Sequence, residues 1–325
     1  MIDLAKQAAR RMGAYAKEPL DKRSLSATNI VAYVNRHILP PLSNDNAQHN
    51  HQLALRIPVM DGNTVVGVNS ITWLQLGQRI ASCQRGLNAA GLNTDDQVVV
   101  ILQPSIDMYC LTLALLGSGI VPVFTDVSMG LHKIRPALSS VTPKLVVTHQ
   151  RLFRIARWLP ELRSQRFILA ERDASHPDSL AKLFFENDAF TKSTTSNLQT
   201  RYLPKVVERP AGSLGLVTFT SGSTGAPKGS DRSHAHLIAQ HLALQSHVPT
   251  LPHDIEMPCM PVLVLHNLCN GVPSILPEVS LNAQQHADGA QLVAQINRAG
   301  ITRIACAPAL LSRLCEAVLR DHPTL

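Results

Sequence analysis

Residues 220–229 read TSGSTGAPKG and follow directly on an apolar, partly β-branched run, SLGLVTF at 213–219. Those ten residues hold three glycines, four hydroxyl side chains, one proline and one lysine. Glycines let backbone N–H groups approach and converge on one anion, serine and threonine add donors, and lysine adds a compact positive charge. Strand, glycine-rich loop and helix in that order make a phosphate-binding arrangement. Composition alone also allows an ordinary surface loop. Two nucleotide loops are excluded by spacing. From Gly222, Pro227 stands where a Walker loop needs its second glycine, and Gly229 stands where it needs serine or threonine. The G-x-G-x-x-G fingerprint of dinucleotide folds is absent, so a dehydrogenase reading has no support.

Working outward, short apolar runs alternate with helical patterns. DGN at 61–63 is a hairpin signal between two short strands. Ser70 or Thr72 is placed to cap a helix through Leu74, Ile80, Cys83 and Leu87, which Gly91 stops. QVVVI, IVPVF, KLVVT and RFILA read as strands buried on both faces, separated by SIDMYCLTLALLGSG, LHKIRPALSSV and QRLFRIARWLPEL as helices. Residues 171–210 are polar, and TKSTTSNLQT at 191–200 reads as a loop. Beyond the glycine-rich segment a helix begins near Ser233, and ADGAQLVAQINRAG, ITRIACAP and ALLSRLCEAVL give helix, strand and helix. The expected fold class is α/β, with doubly wound, mostly parallel sheets and flanking helices. The expected domains are a helical extension over 1–50, a first α/β subdomain over 51–210, and a second, incomplete one over 211–325 that carries the glycine-rich loop.

Composition narrows the function. With 325 residues and 45% hydrophobic against 16% charged residues, the chain is globular in type, and no apolar run suits a transmembrane helix. The N-terminal stretch lacks the apolar core of a signal peptide and carries Asp3, Glu18 and Asp21, which argues against a transit peptide. The net charge of +7 comes from dispersed lysines and arginines, and aromatics are only 4%, so no nucleic-acid platform is visible. None of the six cysteines forms a C-x-x-C pair; they are read as buried free thiols in a reducing, cytoplasmic setting. HNH at 49–51 and HAH at 234–236 lack companion ligands at metal spacing, so no metal site of the protein's own is expected.

TFTSGSTGAPKG, followed by SH in DRSHAHL, resembles the phosphate-binding signature of the adenylate-forming superfamily, which holds acyl-CoA synthetases, peptide-synthetase adenylation domains and luciferases. ITWLQLGQRIASCQRGLNAAGLNTDDQVVVIL, LLGSGIVPVFTD and AGITRIACAPALLSRL resemble the family's surrounding elements, so the resemblance spans about residues 50–320. It implies that ATP, with Mg²⁺, and a carboxylate form an acyl-adenylate and pyrophosphate, catalysed by positioning and charge neutralisation. By position, Thr220, Ser221, Gly222, Ser223, Thr224, Gly225 and Lys228 would hold the β- and γ-phosphates, with Pro227 stiffening the loop exit. CoA is a candidate acceptor.

In MPVLVLHNLCNG, Val264 stands where many acyl-CoA ligases have the histidine of P-x-x-H. His266 and Asn267 fall at the aromatic and asparagine positions of P-x-x-x-x-F-N, the pattern of bacterial olefin β-lactone synthetases and long-chain fatty-acyl relatives. Val264, His266 and Asn267 are therefore candidate acyl-pocket residues. His266 as a packed core histidine and PVLVL as a buried strand remain equally open. The family's Tyr-Gly-x-Thr-Glu motif, ribose-binding aspartate and C-terminal lid domain with its catalytic lysine have no counterpart here, so the catalytic residue is unassigned. KGSDRSH also departs from the pattern, since Asp231 puts an acid near the anion site. Two readings follow: part of a fatty-acyl or hydroxy-fatty-acyl adenylating enzyme, or an inactive nucleotide-binding relative acting as an interaction module, with self-association or other pathway enzymes as partners.

Overall fold

The computed structural model describes residues 28–38, 52–61, 64–125, 135–136, 138–170, 176, 178–185, 203–220, 228–279 and 287–321. In chain order these form α1 (Val31–Ile38), β1 (Leu53–Asp61), β2 (Thr64–Thr72), α2 (Trp73–Ala89), β3 (Gln97–Ile101), α3 (Ile106–Gly117), β4 (Val121–Phe124), β5 (Pro143–Thr148), α4 (Gln150–Ala156), β6 (Arg166–Leu169) and α5 (Leu180–Phe185). There follow β7 (Leu214–Thr220), β8 (Lys228–Ser233), α6 (His234–His247), β9 (Glu256–Pro258), α7 (Pro261–Asn270), β10 (Ser274–Ile275), α8 (Gly289–Ala299), β11 (Arg303–Ala305) and α9 (Pro308–Asp321). No helix among the described residues is long and apolar enough to cross a membrane.

The strands form two sheets, in the orders β6-β5-β3-β4-β7-β8 and β11-β9-β10-β1-β2. The first is parallel from β6 through β7 and takes β8 antiparallel at its edge. From β3 the chain winds one way to β4, then crosses back to β5 and β6, which is the doubly wound pattern expected from the alternating apolar runs. Val99, Val123, Val146, Val217 and Phe219 meet in its core. The second sheet is parallel from β11 to β1 and closes on the antiparallel β1–β2 hairpin.

This partition differs from the contiguous segments expected from the sequence. One compact unit holds the described residues of 41–73 and 239–325, the other those of 27–40 and 74–238. The glycine-rich loop's strands thus extend the sheet begun by β3, instead of opening a second subdomain at 211. Strand pairing is non-local, and apolar runs carry no address for their partners.

Local chemistry explains the element ends. Ser105 caps α3, its hydroxyl accepting from the Met108 amide. Gly91 takes φ 79° just beyond α2, the left-handed conformation that stops a helix. Ser70, by contrast, lies inside β2 and accepts from the Arg56 guanidinium at 3.2 Å, so the helix starts at Trp73 without it. Within the stretch read as polar, α5 forms and its Leu183 packs directly on Gly86 of α2, while TKSTTSNLQT at 191–200, expected as a loop, lies outside the described residues. Of the helix expected over LHKIRPALSSV, 135–136 and 138–139 are helical and 131–134 and 137 lie outside the described residues, as does Gly62 of the turn expected at Asp61–Gly62.

The polar stretch leading into β7 is ordered by side-chain amides. Asn35 donates to the Pro204 carbonyl and Asn29 to those of Leu116 and Val207, while Gln84 exchanges both its hydrogen bonds with the Lys205 backbone. These bonds give buried backbone the partners a strand would have supplied, and they fix where β7 begins.

A Cβ at Gly86 would stand 2.4 Å from the Leu183 carbonyl oxygen, so α2 and α5 cannot keep their distance with any side chain there. Gly86→Ala should lower unfolding stability by about 1–3 kcal/mol in urea titrations. Gly212→Ala, where a Cβ meets nothing within 4 Å, should change it by less than about 0.5 kcal/mol.

Candidate functional site

The candidate site is built on β7. This strand pairs in parallel with β4, Val123 against Val217 and Phe124 against Thr218, so its carboxyl end is level with the edge of the parallel sheet where α/β folds bind ligands. The chain then returns. Lys228 pairs with Thr220, Gly229 with Phe219, Ser230 with Thr218 and Asp231 with Val217, all antiparallel. The loop is therefore the head of a strand–loop–strand hairpin, where the sequence reading expected strand, loop and helix. Nothing apolar in KGSDRS announces β8; its polar and charged residues suit the edge of a sheet.

The register brings Thr220 and Lys228 together at the mouth of the loop. Ser221, Gly222, Ser223, Thr224 and Gly225 lie outside the described residues. Gly229 packs closely: a Cβ there would stand 3.0 Å from the ring of Phe219, a core residue, which would have to give way by a few tenths of an ångström. Asp231 is exposed and, by two-residue alternation, occupies the strand face opposite to position 228. That geometry lessens the expected conflict between this acid and a bound anion. Ser233 ends β8 and accepts from the His236 amide at 3.1 Å, capping α6 as its position suggested.

The second set of candidates lies on α7. PVLVL is the start of a helix, which corrects the strand reading. Pro261 sits in its first turn, where a missing N–H costs nothing, and Gly271 ends it at φ 71°. Val264, His266 and Asn267 are all buried. His266 Nδ1 lies 3.1 Å from His241 Nδ1, and its Nε2 lies 3.0 Å from the Asn270 amide nitrogen. With that amide as donor, the neutral His266 carries its proton on Nδ1 and donates to His241. Asn267 donates to the Ser274 hydroxyl at 3.1 Å, tying α7 to β10. Sequence reasoning missed His241; the only signal was its place in a helix rich in histidine.

Charge is managed by burial in both units. Arg303 of β11 reaches the carboxylates of Asp254 and Glu256, at 3.2 and 3.3 Å. Burial, with a smaller contribution from Arg303, lowers the His266 pKa to about 4. Burial and then Arg209 lower that of His234 to about 4, against a small opposing effect of Asp95. Of the cysteines, Cys83, Cys110, Cys259 and Cys269 are buried and in no disulfide, as expected, and burial pushes Cys110 and Cys259 up to about 12. Cys315 corrects that reading, since it is exposed on α9. Among the described residues no group of three or more histidine, cysteine or acidic side chains could hold a metal ion.

The hairpin lies at the carboxyl edge of a doubly wound sheet, the edge where α/β folds bind ligands. The profile of the AMP-binding enzyme family matches residues 46–324, and the chain belongs to that family. It is 25% identical over 270 residues to the olefin beta-lactone synthetase of Xanthomonas campestris pv. campestris, covering 82% of this chain and 46% of that protein. It is 24% identical over 285 residues to the olefin beta-lactone synthetase of Stenotrophomonas maltophilia, covering 86% and 49%. The chain thus spans about half the length of these relatives. Among solved structures, it is similar in fold to the fatty acyl-adenylate ligase of L. pneumophila in complex with acyl adenylate and pyrophosphate. There the TM-score is 0.62 at 16% identity, over 88% of this chain and 45% of that one.

The two low histidine values set a pH dependence. Unfolded, both groups bind a proton near 6.5; folded, only near 4, so the unfolded state holds more protons between those values. Their contribution to stability is complete above pH 6.5 and is lost as pH falls toward 4. His266→Gln should flatten this acid limb in thermal-unfolding scans, removing on the order of 2 kcal/mol of the decline. An unchanged slope would show that His266 is not held neutral by the fold.

Proposed function

We propose that this chain supplies the ATP phosphate-binding part of an enzyme that activates a carboxylic acid, a fatty or hydroxy-fatty acid, as its acyl-adenylate with release of pyrophosphate. The observation that carries this is the hairpin at the carboxyl end of β7. It closes a seven-residue segment rich in glycine and hydroxyls between Thr220 and Lys228. Thr220, Ser221, Gly222, Ser223, Thr224, Gly225 and Lys228 are assigned to the β- and γ-phosphates. A carboxylate oxygen attacks the α-phosphorus, the bond from that phosphorus to the bridging oxygen breaks, and pyrophosphate leaves with both electrons. Lysine charge and converging N–H groups stabilise the charge that accumulates on the leaving group. Mg²⁺ would enter with the nucleotide and share that charge.

Membership of the AMP-binding enzyme family supports adenylation. The names of the matched relatives favour a β-lactone-forming or fatty-acyl branch. The adenylate would then pass to CoA or to a hydroxyl of the same molecule. On the acyl side the reading assigns Val264, His266 and Asn267. His266 already holds partners on both ring nitrogens, so its role there is to shape a wall, whereas Asn267 donates to Ser274 and leaves its buried Oδ1 without a partner.

Pyrophosphate release from ATP·Mg²⁺, measured with fatty and 3-hydroxy fatty acids of graded length, tests this reading. The expected result is release that depends on the acid and saturates with it. ATP binding without acid-dependent release would favour the inactive nucleotide-binding relative. Neither binding nor release would overturn the proposal for this chain.

A further inference from the structure

Among the described residues, the threonine hydroxyls that are buried and have no hydrogen-bond partner are those of Thr125, Thr148 and Thr218. All three lie at or toward the carboxyl ends of parallel strands of the β3-containing sheet. Thr148 ends β5, Thr125 directly follows β4, and Thr218 is two residues from the end of β7. A buried hydroxyl without a partner destabilises a fold, and valine would fill the same branched space without that cost. Three such residues along the edge where α/β folds bind ligands call for a partner that the protein itself does not supply.

Thr218 is the one with an address. Its neighbours Val217 and Phe219 point into the core, so position 218 belongs to the other face of β7. Two-residue alternation puts position 220 on that same face, one step nearer the loop. Across the ladder, Thr218 pairs with Ser230 and Thr220 with Lys228. Thr218 and Ser230 thus lie opposite each other on adjacent strands, one two-residue step below the mouth of the hairpin.

We propose that the Thr218 hydroxyl is a further ligand-binding group of this site, donating a hydrogen bond to a phosphoryl oxygen of the nucleotide. The proposal rests on the phosphate reading above and extends the cradle from the loop onto the strand beneath it. The bond would satisfy a donor that the fold leaves unpaired.

Calorimetric titration with ATP·Mg²⁺ and thermal unfolding, run on the wild-type chain and three variants, test it. Thr218→Val should weaken ATP binding roughly tenfold, the effect of one lost hydrogen bond, while leaving the unfolding temperature unchanged or raised. Thr218→Ser should retain wild-type affinity. Tyr109→Phe removes another buried, unpartnered hydroxyl, on α3, and should leave ATP affinity unchanged. Wild-type affinity in Thr218→Val would overturn the proposal, as would a fall in its unfolding temperature, which would mark a structural role. Loss of affinity in Tyr109→Phe would overturn it too, because the effect would not be local. A wild-type chain that binds no ATP would overturn this proposal together with the phosphate reading. Binding by the wild type with no change in Thr218→Val would overturn this proposal alone.

Discussion

The antiparallel pairing of Thr220 with Lys228 is the constraint on which the rest of the site depends. A loop poor in side-chain bulk has little packing of its own to define its path. Its geometry must come from its ends. Here one end is β7, held in parallel against β4 with Val217 and Phe219 in the core. The other is β8, laid back along β7 in register. Gly229 eases this, since a Cβ there would crowd the ring of Phe219. The pairing holds the two ends of the glycine-rich segment on adjacent strands.

The order of β7 depends in turn on polar bonds further back. The amides of Asn29, Asn35 and Gln84 hold the stretch before it against α1, α2 and α3, with no strand or helix in the stretch itself. In the other unit, Gln295 plays the same part, donating to the Leu276 carbonyl and accepting from the Glu278 amide. Buried side-chain amides are costly unless bonded; Asn29, Gln84 and Gln295 are bonded at both ends, Asn35 through its nitrogen alone. The fold thus joins an apolar core, legible as periodic runs, to irregular segments that only specific polar contacts can place.

That division explains what could be read from the residues alone. The strands QVVVI, KLVVT and RFIL and the helix closed by Gly91 were legible, because short apolar runs with glycine punctuation have few other solutions. β8 was not, since KGSDRS carries no apolar signal and its strand character comes wholly from pairing with β7. PVLVLHN fits a strand or a buried helix by composition, and Pro261 in the first turn with Gly271 at the end decides for the helix. Sheet membership was the least legible, as β1 pairs with β10, a strand some two hundred residues later in the chain. Of the candidate site, the loop stood out through its glycines and lysine. The unpaired hydroxyl of Thr218 and the contact of His241 with His266 exist only once the chain is folded.

The central claim is that the hairpin holds nucleotide phosphate and that Lys228 supplies its charge. Isothermal titration of ATP·Mg²⁺ into the wild-type chain and Lys228→Ala, at one fixed ionic strength, tests it most directly. The account predicts saturable binding by the wild type, weakened about tenfold to a hundredfold by the substitution, the range for one charge-assisted contact. Equal affinity in the two proteins would contradict it.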